Sequence, residues 1–158
     1  CEESGVWGIH LGDFIFWDEE RQTEFIKEKY NWKEDLIEGT YKGYKSAECI
    51  MPGLHDFTNY LKRGYGRATF HASLDVRTGL LSRSDAMLLA EKYDQIEPQV
   101  LEYYLEITGL DKEEFYETIK SKREQAVKDK LIPVKNITHN IHKKPYVLEF
   151  IDEIQSQE

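Results

Sequence analysis

Between Asp18 and Lys130 apolar residues recur mostly at three- and four-residue intervals, the period of helices that bury one face. The first such segment opens at Asp18, a side chain able to cap, with Glu19 and Glu20 at the positive helix end and Phe25 and Ile26 on the apolar face. Asn31-Trp32 closes it after Tyr30. Residues 36–51 carry Gly39, Gly43 and scattered tyrosines without a period, and read as an extended connection ending at Pro52-Gly53. A helix from about Leu54 to Arg63 follows, with Leu54, Phe57 and Leu61 inward and His55 and Asp56 near its start. Gly64-Tyr65-Gly66 interrupts it, because Gly inside a helix costs roughly 1 kcal/mol relative to Ala. The helical pattern restarts near Arg67 and stops at Thr78-Gly79. Ser82 or Ser84 caps the next helix, with Ala86, Leu89, Ala90 and Tyr93 inward. Glu97-Pro98 opens another, packed through Val100, Leu101, Tyr104, Leu105 and Ile107 and ended by Gly109. Asp111 caps one more, with Glu114 three residues on in an arrangement related to a capping box and with Phe115, Tyr116 and Ile119 inward.

The ends of the chain are less regular. Residues 2–17 alternate loosely among glycines and aromatics, which allows at most one short strand. Beyond Lys130, Pro133 to Pro145 reads as an arm and Tyr146 to Ile154 as a short terminal helix. The expected organisation is a mainly α fold, with a helical domain over residues 1–130 and a loosely packed arm over 131–158.

Composition narrows the function. With 158 residues, 40% of them apolar and 13% aromatic, the chain can bury a core, and its net charge of -9 disfavours nucleic acid or anionic lipid as a partner. No apolar run approaches the length of a membrane helix and no signal peptide opens the chain, so a cytoplasmic protein is expected. Cys1 and Cys49 are expected as reduced thiols, and an initial Cys in place of Met points to an upstream part. His139 and His142 form an HxxH with no nearby Cys or carboxylate to complete a tetrahedral set, so no metal site is expected.

Charge is unevenly placed. From Phe57 to Arg83 the chain carries Lys62, Arg63, Arg67, Arg77 and Arg83 against Asp75 alone, a local +4 in a protein whose remainder sums to -13. A focused positive field concentrates a negative ligand, whereas the same side chains could equally form a solvated helix face paired with acidic neighbours. Arg67, His71 and Asp75 follow at i, i+4 and i+8 and lie in one stripe of the helix. Such a stripe could hold a phosphate and orient an imidazole, with Asp75 fixing its tautomer, or be a surface ladder worth a few tenths of a kcal/mol. Tyr60 and Tyr65 flank it.

The GYG of Gly64 to Gly66 is not a P-loop, and GxGxxG, GxSxG, HExxH and paired-cysteine patterns are all missing. A self-contained catalytic engine is therefore not visible, and two further readings stay open. One is a helical interaction module that docks a partner or a second copy. The other is a helical nucleic-acid binder, which the acidic remainder opposes.

HDFTNYLKRGYGRATFHASLDVRTGLLSRSDA from His55, GDFIFWD at Gly12 to Asp18 and KYD at Lys92 to Asp94 resemble the C-terminal half of bacterial N-acetyl sugar amidotransferases of surface-polysaccharide synthesis. The likeness runs from about Leu11 to Glu124 and is strongest from Lys62 to Arg83. It implies the helical C-terminal portion of an α/β PP-loop enzyme of the adenine nucleotide alpha hydrolase type. Such an enzyme uses ATP and Mg to activate the acetamido oxygen of a nucleotide-linked N-acetyl sugar, and ammonia from a glutaminase subunit then yields an acetamidino group. Homo-oligomers are a further expectation. An SGGxDS-like phosphate loop is missing from these residues, so the chain alone is not expected to turn over ATP. By position the resemblance carries His71 and Asp75 as catalytic candidates, and Lys62, Arg63, Tyr65, Arg67, Arg77 and Arg83 as candidates for substrate or phosphate binding, with Arg67 and Arg77 on phosphate.

Overall fold

The computed structural model describes residues 4–5 and 7–136. The end of the expected arm, the terminal helix over 146–154 and the His139 and His142 pair lie outside them. Two compact units divide between Glu34 and Asp35.

The first unit contains α1, Glu19–Tyr30. Asp18 caps it as expected, its carboxylate accepting the Arg21 N–H at 3.1 Å, and Asn31 ends it in the left-handed region at φ 54°. Lys27 is paired with both Glu24 and Glu34. Where the pattern allows at most a short strand, there is a 3-10 turn, Leu11–Asp13. The loose alternation before α1 reflects no sheet face: Trp7, Phe14, Phe16 and Trp17 are all exposed.

The second unit is a helical array of α2 (Pro52–Arg63), α3 (Arg67–Arg77), α4 (Arg83–Asp94), α5 (Val100–Thr108) and α6 (Lys112–Ser121), followed by a 3-10 turn, Gln125–Val127. The described residues contain no strand, only one parallel bridge between Ile96 and Lys135. The chain is therefore mainly α, and among the described residues no helix is long and apolar enough to cross a membrane. Helix α2 starts two residues before Leu54 because Pro52 occupies its first turn, where a missing N–H costs nothing.

Helix α2 is the hub of the core. Leu54, Phe57, Tyr60 and Leu61 pack with Val100 and Leu101 of α5 and Phe115 of α6. Tyr60 also reaches out through its hydroxyl, which donates to the Pro133 carbonyl at 2.7 Å and ties the start of the arm to the core. Desolvation pushes this hydroxyl up to about 12, so it remains a donor across the ordinary pH range. Ile107, expected inside, is exposed in the last turn of α5.

Two helices receive their N-terminal caps from distant carboxylates. Gly66 precedes α3 and has no side chain to cap with, and Asp94, at the end of α4, fills the role. Its oxygens accept from the N–H groups of Gly66 and Ala68, each at 2.9 Å, from the Thr69 N–H at 3.2 Å and from the Thr69 hydroxyl at 2.5 Å. A Cβ at Gly66 would lie 2.6 Å from Asp94 Oδ1, so the close approach requires glycine. At the preceding helix end Gly64 takes φ 82°, and its N–H returns to the Tyr60 carbonyl at 2.7 Å. In the same manner Glu38 accepts the Gln99 N–H at 2.6 Å and the Val100 N–H at 3.3 Å at the start of α5.

Asp94→Ala leaves the Gly66 N–H and two amide donors of α3 without their acceptor and removes a negative charge from the helix's positive end. A loss of about 2–4 kcal/mol is expected in urea unfolding, with a smaller loss for Asp94→Asn, which keeps one acceptor oxygen. A variant Asp94→Ala as stable as the parent would refute this account of the turn.

Candidate functional site

An open concavity of about 360 Å³ lies between α2, α3 and the connection that precedes α2. The connection contributes Lys45 and Ser46, α2 contributes Asp56, Asn59 and Arg63, and the Gly turn with α3 contributes Tyr65, Gly66, Arg67, Phe70 and His71. The spacing accounts for this face: Asp56, Asn59 and Arg63 follow at i, i+3 and i+7 on α2, and Arg67 and His71 at i and i+4 on α3.

Arg67 is largely buried, and protein groups fix its orientation. Its Nε stands 2.5 Å from Asp56 Oδ2, an ion contact out of line for a hydrogen bond. Its Nη1 donates to the Ser46 hydroxyl at 3.2 Å and to the Lys45 carbonyl at 3.5 Å. Asp56 is itself buried, and its Oδ1 lies 3.1 Å from Nδ1 of the exposed His55. Arg63 is more open and pairs with Glu124 at 3.0 Å, an exposed contact of small energetic value.

The connection is clamped to α3 by three polar contacts. The Thr40 hydroxyl is 2.9 Å from His71 Nδ1, the Tyr41 hydroxyl donates to Asp75 Oδ2 at 2.5 Å, and Lys42 Nζ meets Asp75 Oδ1 at 2.8 Å. Lys42 and Asp75 are both buried, so each compensates the desolvation of the other. This clamp delivers Lys45 and Ser46 to the rim of the concavity.

Burial lowers the His71 pKa to about 4, and the nearby charges of Lys45, Arg67 and Lys42 act in the same direction against the opposing Asp75. The imidazole is therefore neutral at pH 7.

Of the residues expected from sequence, Arg63, Tyr65, Arg67 and His71 meet at the concavity. Asp75 lies one turn beyond His71 and is engaged by Tyr41 and Lys42, and the partner found on His71 is Thr40 rather than Asp75. Arg77 is ten residues beyond Arg67, roughly 15 Å along the helix, and exposed. Arg83 is exposed at the start of α4, and Lys62 is half-buried outside the lining, its carbonyl accepting the Glu124 N–H at 2.9 Å. Asp56 and Asn59, not among the expected site residues, also line the concavity, and their i, i+3, i+7 spacing with Arg63 is the signal that marks them in the sequence. Lys45, Ser46 and Thr40 sit in an aperiodic segment that carries no such signal.

The depressed His71 pKa sets a pH dependence. The unfolded chain binds a proton near the ordinary value of 6.5 and the folded protein only near 4, so this contribution to stability is complete above 6.5 and is lost as pH falls towards 4. It amounts to on the order of 3 kcal/mol. Urea unfolding of His71→Gln should show a correspondingly shallower decline between pH 6.5 and 4 than the parent, and parallel declines would contradict the assignment.

A family model described as "LPS biosynthesis protein WbpG-like, C-terminal domain" matches residues 38–138, a span that begins at the Glu38 cap and includes the whole concavity. Among curated proteins and solved structures, nothing matches. The match covers more than half of the chain, which thus belongs to the WbpG-like C-terminal domain family of lipopolysaccharide biosynthesis proteins.

Proposed function

We propose that the chain serves as the C-terminal domain of an ATP-dependent N-acetyl sugar amidotransferase, converting an acetamido to an acetamidino group on a nucleotide-linked sugar during O-antigen or surface-polysaccharide synthesis. A glutaminase partner supplies the ammonia. The observation that carries this reading is the convergence of Lys45, Arg63 and Arg67 on one concavity in a protein of net charge -9. Within it Arg67 is held by Asp56 and Ser46, so little side-chain freedom remains to be lost when a phosphate is bound. Asn59 and Ser46 offer neutral hydrogen-bonding groups for sugar hydroxyls, and the exposed rings of Tyr65 and Phe70 offer apolar faces.

The implied ATP and Mg fit this chain poorly. It carries no SGGxDS-like loop to hold a triphosphate, and among the described residues no group of three His, Cys, Asp or Glu side chains is placed to hold a metal ion. The domain's own work in this reading is to bind and orient the sugar nucleotide, with Arg63, Arg67 and Lys45 on its phosphates. Holding the acetamido group in one place converts a collision into a positioned encounter with ammonia and excludes competing water.

Arg67→Ala in the complete enzyme, assayed with its glutaminase, tests this role. Loss of a charge-assisted contact worth about 1.5–3 kcal/mol should lower kcat/KM for the sugar nucleotide roughly 10- to 150-fold. Unchanged kinetics would remove the concavity from the substrate site.

A further inference from the structure

The clamp between Thr40 and α3 determines more than the position of a loop. The Thr40 hydroxyl is buried and has two partners: the Lys42 N–H, which donates to Oγ1 at 3.1 Å, and His71 Nδ1 at 2.9 Å. The amide can only donate. Among the described residues the hydroxyl proton therefore has one acceptor within reach, Nδ1, and a proton on Nδ1 would leave the hydroxyl hydrogen buried and unpaired at a cost of about 1–3 kcal/mol. A neutral imidazole that accepts at Nδ1 carries its hydrogen on Nε2.

That second nitrogen has no hydrogen-bond partner among the described residues, while His71 is one of the residues that line the concavity and is only 5% exposed. One turn earlier Arg67 has a matching vacancy. Its Nε faces Asp56 in the ion contact, its Nη1 donates to Ser46 and the Lys45 carbonyl, and its Nη2 has no hydrogen-bond partner among the described residues. Both side chains lie on one face of α3 and line the same concavity.

We infer that His71 is a neutral Nε2–H donor, fixed in that tautomer by Thr40, and that with Nη2 of Arg67 it cradles a diphosphate oxygen of the nucleotide-linked sugar. The inference rests on the proposed substrate reading of the concavity and adds which atoms hold the anion. Neutrality suits the task. The groups facing His71 are the cations Lys42, Lys45 and Arg67, with Asp75 opposing them, and a protonated ring would be repelled by the three cations. A neutral N–H supplies direction to an anion site whose charge comes from the arginine and lysine. Thr40 is accordingly a positioning residue and His71 the residue that touches ligand.

The test combines a spectroscopic signature with binding. In the full-length protein with 15N-labelled histidine, the His71 resonances at pH 7 should report the Nε2–H tautomer. Thr40→Val should give mixed tautomers and weaken uridine diphosphate N-acetylglucosamine, used as the probe, about 3- to 10-fold by calorimetry, while Thr40→Ser retains both properties. An Nδ1–H tautomer or an imidazolium in the parent protein overturns the inference and leaves the substrate reading standing. Unchanged probe affinity in Thr40→Val with shifted tautomers does the same. A parent protein that fails to bind the probe, even with the Nε2–H tautomer in place, overturns the substrate reading and with it the ligand assigned to His71.

Discussion

The carboxylate of Asp94 at the start of α3 is the contact on which the candidate site depends. Helix α3 begins after Gly66 with no capping side chain of its own, so its first N–H groups need an acceptor from elsewhere in the fold. Asp94 satisfies two of them together with the Gly66 N–H and the Thr69 hydroxyl, and it can approach only because position 66 has no Cβ. Arg67 is the first residue of the helix fixed in this way, and His71 follows one turn later. The start of the helix, next to both side chains, is thus anchored by a residue far along the chain. The same solution recurs where Glu38 caps α5, and both capping acids lie close to a glycine, Gly53 beside Glu38 and Gly66 beside Asp94.

The connection before α2 completes the site from the other side. It lacks regular structure, so its order must come from side chains, and Thr40, Tyr41 and Lys42 supply it through His71 and Asp75. Removing one partner of a buried ion pair such as Lys42 with Asp75 leaves an uncompensated charge, usually at a cost of 3–5 kcal/mol. Asp75 therefore has a clear structural task. Its position one turn beyond His71 places the clamp next to the proposed ligand contacts, so loop order and site geometry are coupled.

The sequence was most readable where structure is local. Helix periods, the Asp18 cap and the Gly64 turn depend on residues within a few positions of one another, and α1 to α4 start within about two residues of their expected places, with Ser82 rather than Ser84 capping α4. At α6 the expected cap is not formed, because the Asp111 side chain makes no bond to the helix start. The resemblance likewise pointed to the polysaccharide-related family that residues 38–138 match. The cationic stretch was visible as charge, but a count of charges cannot say which face of a helix each one occupies. Arg63 and Arg67 line the concavity, while Arg77 and Arg83 are carried away by helix rise and a turn. Contacts of long sequence separation left no trace: Asp94 lies 28 residues from Gly66, and Thr40 lies 31 from His71. Asp94 stood within the quoted KYD run without any sign of its task, because a cap supplied across the fold has no fixed spacing to recognise.

Electrostatics explains why an acidic protein can sustain such a site. Each arginine at the concavity has a carboxylate neighbour, Asp56 for Arg67 and Glu124 for Arg63, which keeps the positive field short-ranged. The pairing with Asp56 weakens the net attraction for an anion, yet it holds the guanidinium at a fixed angle in a largely buried setting, where hydrogen-bond direction counts for more than in water. A site arranged in this way selects by geometry and donor placement rather than by total charge. The proposed ligand, a compact diphosphate with a polar sugar, would suit that requirement, whereas a long polyanion would be opposed by the protein's net charge of -9.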